Sequence, residues 1–336
     1  MNDQCDNAKR VLVVGGAGYV GAVLVPKLLS RNVKVRVLDL FIYGDHVFDR
    51  IEDRSNLEII KGDMRSLSVL EKSMADVDVV IHLACISNDP SYELDPALGK
   101  SINYDAFLKL TDQAATSGVR QFIFASSSSV YGIKEVTDVT EDLPLEPLTD
   151  YSKYKAKCEE YLLGPGKKDM TVTVIRPATV CGYSPRMRFD LTVNILTNHA
   201  INNGVIKVFG GEQMRPNLHI EDMTDLYLFL LDQPAEKIDG KVYNAGYQNE
   251  KVGGIAGIVQ KTLEKEIDIV TTPTDDIRSY HISSDKLRRE LGFVPGHGIV
   301  DAVKDLEDAF SKGLFPDSME DPVYFNVKMM NRIQLK

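Results

Sequence analysis

The stretch Asp150-Tyr151-Ser152-Lys153-Tyr154-Lys155-Ala156-Lys157 sets a tyrosine and a lysine four residues apart at the start of a helical pattern. On a helix, positions i and i+4 share one face, so Tyr151 and Lys155 point into one cleft. An ammonium near a phenol favours the ionised form and moves it from a free pKa of about 10 towards a base usable near neutrality. The pair is a proton-transfer device for an alcohol. A Tyr-x-x-x-Lys pair also occurs by chance on surface helices, and its meaning here comes from two other features: a glycine pattern far upstream and the serine run Ser126-Ser127-Ser128-Ser129. Hydroxyls at the carboxyl end of a parallel strand lie where ligands bind such sheets. The same run also suits a flexible turn, but it is anchored between the apolar Gln121-Phe122-Ile123-Phe124-Ala125 and Val130-Tyr131-Gly132.

Gly15-Gly16-Ala17-Gly18-Tyr19-Val20-Gly21 follows the apolar, β-branched Arg10-Val11-Leu12-Val13-Val14 and precedes an apolar helical stretch. A buried strand, a glycine turn and a helix form the context that a dinucleotide fingerprint requires. Gly15 permits the tight turn, Gly18 lets backbone approach a pyrophosphate, and Gly21 lets the helix pack on the sheet. The spacing is GxxGxxG, one residue longer between the first two glycines than GxGxxG. Lys34-Val35-Arg36-Val37-Leu38-Asp39 reads as the second strand, ending in an acid about 20 residues after the glycines. A carboxylate there accepts from adenosine ribose hydroxyls and repels a 2′-phosphate, which favours NAD over NADP; the alternative is a helix N-cap aspartate.

Further strands are expected over 57–64, ending near Asp63 within reach of an adenine amino group, over 77–83, and at Gln121–Ala125 and Thr171–Pro177. The small residues Ala84-Cys85-Ile86-Ser87 would let cofactor and backbone meet, and His82, inside an apolar strand, reads as a satisfied core histidine rather than a catalyst. Helical patterns span 96–117, containing Asn103, and begin at Tyr151. Alternating strands and helices make a Rossmann-type, doubly wound parallel α/β sheet. Periodicity then changes. A turn-rich basic segment, Gly182-Tyr183-Ser184-Pro185-Arg186-Met187-Arg188, leads to a helix near 190–202; another helix begins at His219-Ile220, a strand closes at Tyr243-Asn244-Ala245, and a helix ends before Gly292. The expected division is a cofactor-binding domain over 1–178, rejoined by 219–250, and a smaller C-terminal α/β substrate-binding lobe over 179–218 and 251–336. Arg186, Arg188, Arg215 and Arg278 are candidates to clamp a diphosphate, since guanidinium forks match phosphate oxygens; each alone also reads as a surface arginine. The segment after Phe315 carries no clear signal, and no repeat is seen.

The 336 residues are 43% hydrophobic and 26% charged, as in an ordinary globular protein. A net charge of -10 and no dense Lys/Arg run argue against a nucleic-acid partner. Cys5, Cys85, Cys158 and Cys181 show no metal-binding spacing and read as buried free thiols in a reducing cytosol; no metal is expected. The polar N-terminus is not a signal peptide and no apolar run reaches the ~18 residues of a membrane span. A cytoplasmic protein without membrane contact is the expectation.

Jointly, Gly15-x-x-Gly18-x-x-Gly21, Asp39, Asp63, the serines before Val130-Tyr131-Gly132, Tyr151-x-x-x-Lys155 and Arg176-Pro177 resemble the extended short-chain dehydrogenase/reductase family. Over about 9–312 the chain is similar to its NAD-dependent epimerase/dehydratase branch, which acts on nucleoside-diphosphate sugars and includes UDP-glucose 4-epimerases. The resemblance implies that Tyr151 is the acid/base, that Lys155 positions the nicotinamide ribose and lowers the tyrosine pKa, and that Ser127 holds the reacting oxygen, with Ser126 and Ser128 as other registers. It further implies NAD contacts at Gly15, Gly18, Tyr19, Val20, Gly21, Asp39, Asp63, Met64, Leu83, Ala84 and Asn103, and substrate contacts at Ser87, Ser128, Thr179, Arg186, Arg188, Asn194, Arg215 and Arg278. Relatives that dehydrate carry acids right after the catalytic hydroxyl, where this chain has Ser128 and Ser129, which points away from a 4,6-dehydratase. Thr179 replaces an asparagine that in many relatives contacts the sugar diphosphate. Ser184-Pro185-Arg186-Met187-Arg188-Phe189-Asp190-Leu191 is similar to a subgroup that includes enzymes oxidising a GDP-heptose at C4. The expected activity is epimerisation at sugar C4 through a 4-keto intermediate, with a 4-dehydrogenase or 4-ketoreductase as the alternative and a non-catalytic NAD-binding regulator as the third reading. The helices at 96–117 and 151–163 resemble those that pair in the family's homodimers.

Overall fold

The computed structural model describes residues 9–134, 136, 138–274, 279, 281–333 and 335. Among the described residues, twelve strands follow in order: β1 Arg10–Val14, β2 Lys34–Asp39, β3 Leu57–Lys61, β4 Val79–His82, β5 Gln121–Ala125, β6 Thr171–Pro177, β7 Thr179–Cys181, β8 Val205–Phe209, β9 Met214–His219, β10 Lys241–Ala245, β11 Gln248–Lys251 and β12 Asp268–Thr272. Seven of them form one parallel sheet in the order β10-β6-β5-β4-β1-β2-β3. The order reverses between β1 and β4, and a doubly wound sheet binds ligands in the crevice at that switch point.

Side chains on a strand alternate between faces, and both faces here are covered. Val11 and Val13 of β1 pack with Leu24, Val25 and Leu28 of the helix Gly21–Ser30 and with Met223, Leu226 and Leu230 of the helix Ile220–Leu231. Leu12 and Val14 face the other way, onto Leu70, Leu110, Cys158 and Leu162 of the helices Leu67–Met74, Ala106–Thr116 and Asp150–Leu163. Each fully buried side chain of this kind contributes about 1.5–3 kcal/mol. A separate core joins the helices Thr192–Asn203, Val252–Leu263 and Ile299–Ser311 to the parallel pair β8 and β12. Between the two cores, β9 pairs with β7 and with β11. The final helix, Asn326–Ile333, places Met330 in the core of the main sheet.

The helical pattern over 96–117 is interrupted. Pro96–Lys100 is α-helical, Ser101–Asp105 winds as a π-helix, and Ala106–Thr116 resumes the α-helix. A π-turn inserts one residue into the repeat and re-aims a side chain, and here Asn103 turns inward. Strands β3 and β4 are shorter than expected, because Gly62-Asp63-Met64 and Leu83-Ala84 turn away to line the cleft. Among the described cysteines, Cys158 and Cys181 are buried free thiols, whereas Cys85 is half-buried and borders the cleft; Cys5 lies outside the described residues. No described helix is long and apolar enough to cross a membrane, and no described group of three or more His, Cys, Asp or Glu could hold a metal ion.

His82 is a core residue packed among Phe107, Phe122 and Phe124, but it is not fully satisfied: its Nδ1 has no hydrogen-bond partner among the described residues. Burial, aided by the charge of Lys155, lowers its pKa from 6.5 to about 3. The unfolded chain therefore protonates first as pH falls, and stability present above about pH 6.5 is lost progressively towards pH 3. From pH 7 to pH 5 this one residue should cost about 2 kcal/mol of unfolding free energy. His82→Phe should flatten that segment of the stability profile in urea titrations; an unchanged slope would remove His82 as its source.

Candidate active site

A cleft of about 580 Å³ opens at the carboxyl ends of the main strands. It is bordered by the glycine turn after β1, by Asp39 ending β2, by the turns after β3 and β4, by the serines after β5 and by the first turn of the helix Asp150–Leu163. Gly15 has φ +84°, and its N–H donates to the Leu38 carbonyl at 2.8 Å. A Cβ there would sit 2.5 Å from the backbone nitrogen of Ala84. At Gly21 a Cβ would lie 2.4 Å from the Gly16 carbonyl oxygen, so this glycine serves the approach of helix to turn rather than helix to sheet. Gly15→Ala should combine strain at positive φ, about 1–2 kcal/mol, with a displaced Ala84. The expected result is a lower thermal midpoint together with more than about tenfold weaker NADH binding; wild-type binding would show that the turn tolerates a methyl group.

The helix Gly21–Ser30 begins at Val20 with no side-chain cap and no acid in its first turn. Its free N–H groups and the dipole favour an anion. Tyr19, Val20, Met64, Leu83 and Ala84 line the groove beside it, and the Tyr19 hydroxyl is occupied, donating to the Gly182 carbonyl at 2.6 Å. Asp39 accepts from the N–H of Ala17 at 2.9 Å and of Phe41 at 2.8 Å. No helix starts there, so it is not an N-cap, and its carboxylate keeps lone pairs for further donors. Burial raises its pKa, and the two backbone bonds work against that rise. Asp63 is gripped by Arg65, whose Nη2 lies at 2.6 Å; although burial opposes it, these bonds lower the carboxyl pKa. The groove thus fits a dinucleotide: a glycine cradle that Cβ atoms would fill, an uncapped helix end and two carboxylates.

Asn103 does not line the cleft. Its Oδ1 accepts from the Ile86 N–H at 2.8 Å and its Nδ2 donates to the Ile86 carbonyl at 2.9 Å, so both ends of the amide are spent fixing the turn after β4.

Thr149 caps the helix that carries Tyr151 and Lys155: its Oγ1 accepts from the Ser152 N–H at 3.3 Å, while the Ser152 Oγ accepts from the Thr149 N–H at 3.2 Å. The Thr149 hydroxyl also donates to Asp89 at 2.6 Å, tying the helix start to a turn where Asn88 holds φ +72°. Tyr151 is half-buried at the cleft floor, with the Ser127 side chain beside its hydroxyl. Ser127 also bonds Ser129 Oγ at 2.9 Å, and Ser128 is buried on the cleft wall.

Lys155 differs from expectation. Its Nζ donates to the Ala125 carbonyl at 2.7 Å, stands 4.9 Å from the Phe124 ring and 6.0 Å from the Tyr151 ring centroid. The phenol pKa is raised, not lowered: burial dominates, Cys85 and Asp89 add to it, and Arg188 and Ser127 oppose it. The expectation considered only the ammonium, whereas the pocket's low polarity outweighs it.

One turn further along, Glu159 forms a buried ion pair with Arg176 of β6 at 2.6 Å. Arg176 Nη1 donates to the Tyr131 hydroxyl at 2.7 Å, that hydroxyl donates to Asn244 Oδ1 at 2.7 Å, and Ser126 donates to Glu159. Ser126 is therefore spent on the network behind the site, which leaves Ser127 facing Tyr151.

On the opposite wall, Arg188 pairs with Asp190 through Nε at 2.9 Å and Nη2 at 3.1 Å, and although burial opposes it, Arg188 lowers the Asp190 pKa. Arg186 stacks over the Tyr43 ring, 3.5 Å from its centroid. Thr179, Arg215 and Ser87 line the cleft; Arg215 Nη1 donates to the Met214 carbonyl at 3.0 Å, and Ser87 Oγ accepts from Asn326 at 2.8 Å. Asn194 does not line it: buried, it accepts from the Gly182 N–H and donates to the Tyr19 hydroxyl and the Arg188 carbonyl, each at 3.0 Å. Arg278 lies outside the described residues. Sequence reasoning missed Tyr43, Asp89, Asp190 and Asn326. Asp190 was within reach, two residues after Arg188, but no sequence signal marks Asn326.

A family model described as the NAD dependent epimerase/dehydratase family matches residues 11–246. A UDP-glucose 4-epimerase of Lactobacillus helveticus is 28% identical over 318 residues, covering 88% of this chain and 94% of its own. Among solved structures, a UDP-glucuronic acid 4-epimerase of Bacillus cereus, in complex with UDP-glucuronic acid and NAD, superposes with a TM-score of 0.81 at 25% identity, covering 90% of this chain and 99% of that one. A dTDP-glucose 4,6-dehydratase of Streptomyces venezuelae with NAD bound gives 0.81 at 22% identity, covering 93% and 100%, a likeness of fold alone.

Proposed function

The chain belongs to the NAD-dependent epimerase/dehydratase family, and from that premise we propose that it is a nucleoside-diphosphate-sugar 4-epimerase working through a 4-keto intermediate. The observation that carries this reading is the meeting of Ser127, Tyr151 and Lys155 at the inner end of one groove, with Ser127 beside the phenol. Bound NAD supplies the hydride acceptor. Tyr151 takes the C4 hydroxyl proton, a contribution of about 10²–10⁴, while Ser127 steadies the developing oxyanion, a contribution of about 10²–10³. Burial holds the phenol pKa up, so Tyr151 must first lose its own proton to solvent before it can accept the one from C4, and the nearby charge of Lys155 would favour that loss.

Ser128 and Ser129 stand where dehydrating relatives have acids, and that favours epimerisation over dehydration. The alternative is a 4-dehydrogenase or 4-ketoreductase, supported by the Arg188–Asp190 run at the cleft wall; the same three residues serve either, and turning of the ketose in the pocket separates them. In this reading, 1–178 with 219–250 carry the cofactor, 179–218 and 251–336 hold the nucleotide sugar, and two copies pair through the helices of 96–117 and 151–163.

NMR of the purified chain with UDP-, GDP- and dTDP-sugars, without and then with added NAD, tests the proposal. A C4 epimer formed without external cofactor is the expected result. A ketone formed in step with reduced cofactor would make the protein a dehydrogenase, and no conversion of any sugar would count against both.

A further inference from the structure

The guanidinium of Arg186 is buried on the cleft wall, yet its Nε and Nη1 have no hydrogen-bond partner of good geometry among the described residues, although the neighbouring Tyr43 side chain favours its charged form. A buried donor without a partner costs more than a bond returns, and for a charged group the cost is larger. The neighbouring Arg188 has no such deficit, because Asp190 takes its fork. Arg186 therefore reads as a site waiting for an anion, and its surroundings say which one. Its own loop is fastened to the glycine turn: Ser184 Oγ donates to the Tyr19 carbonyl at 2.7 Å, the Tyr19 hydroxyl donates to Gly182, and Asn194 bonds that hydroxyl. Tyr43, under its plane, lies just beyond Asp39 at the ribose end of the groove. Burial lowers the Arg186 pKa to about 10, a cost that a bound anion would offset.

The remaining donor, Nη2, is held by Asn326 Oδ1 at 2.5 Å. The same side chain donates to Ser87 Oγ at 2.8 Å in the turn after β4, and its backbone N–H donates to Asp190 at 3.2 Å. One residue of the C-terminal segment thus spans the groove from the β4 side to the Arg186 loop. Behind it, Met330 is anchored in the main core and Leu335 borders the cleft.

We propose that Arg186 holds the cofactor's pyrophosphate rather than the substrate's diphosphate, and that the C-terminal segment, through Asn326, latches Arg186 across the groove so that the cofactor leaves slowly. This rests on the reading of the groove as the NAD site, and it deepens the epimerase assignment, since a cofactor that takes its hydride back must stay bound.

The test uses the full chain with NADH as probe, followed by its own fluorescence, and UDP and GDP by calorimetry. Arg186→Gln should weaken NADH binding about 10- to 100-fold, the loss of charge-assisted bonds, while leaving any UDP or GDP affinity within about twofold. Asn326→Ala should raise the NADH dissociation rate in displacement by excess NAD about tenfold. Should Arg186→Gln not fold, Arg186→Lys, which keeps the charge and loses the fork, should still bind NADH more weakly than wild type. Unchanged NADH affinity with weakened UDP or GDP binding would move Arg186 to the substrate, and an unchanged dissociation rate in Asn326→Ala would overturn the latch. A wild-type chain that binds no NADH would overturn the NAD reading itself and this inference with it.

Discussion

Tyr151→Phe is expected to lower turnover by about 10³–10⁴ while leaving NADH affinity within about twofold. The substitution removes one oxygen from the cleft floor and keeps the ring that packs there. The loss falls on kcat rather than on KM, because the hydroxyl acts on a proton that moves only in the transition state. In this reading the phenol and Ser127 act on the same reacting oxygen, so a second substitution at Ser127 should add far less than its effect in the wild-type background. Steady-state kinetics on the sugar identified by NMR, with NADH titration alongside, would measure both. Unchanged turnover would remove Tyr151 from the mechanism; lost NADH binding would make it a cofactor anchor instead.

The second large effect is expected away from the reacting atoms, at Glu159 and Arg176. Both side chains are nearly inaccessible, 3% and 6% exposed, so removing one partner leaves an uncompensated buried charge, a cost of about 3–5 kcal/mol. Glu159→Gln or Arg176→Met should each lose about that much in urea denaturation. The double variant Glu159→Leu/Arg176→Met, which buries no lone charge, should lose much less than the two singles together. Glu159 lies one turn after Lys155 on the same helix, so turnover of the still-folded singles should fall beyond what the folded fraction explains. Losses under about 1 kcal/mol would show instead that water reaches the pair.

The parts of this protein legible in its sequence were those set by local pattern. Strands β1, β2, β5 and β6 begin and end where alternating burial and flanking turn residues place them, and the glycine turn, Asp39, Ser127 and Tyr151 share the cleft because each follows directly from the end of a strand or the start of a helix. What could not be read depends on partners far along the chain. Asn103 and Asn194 carry side chains suited to a ligand, yet each is spent on backbone groups that only the folded chain brings near. Lys155 was assigned its charge without its surroundings: it stands 6.0 Å from the Tyr151 ring with its Nζ bonded to Ala125, and burial of the phenol reverses the expected pKa direction. Asn326 lies 140 residues after the arginine it holds, with no spacing rule to join them.

The position of β10 in the main sheet bears on how the chain is made. It is the outermost strand beside β6, yet it is synthesised only after β7, β8 and β9 have been laid down elsewhere. While the ribosome works through that excursion, β6 offers an unpaired edge rich in Thr, Val and Ile, a template for joining another nascent chain. At about 5–20 residues per second the exposure lasts on the order of several seconds. Slower translation through 178–240 should therefore lower the soluble yield, and a fragment ending before Lys241 should aggregate although it carries the whole glycine turn and both Tyr151 and Lys155.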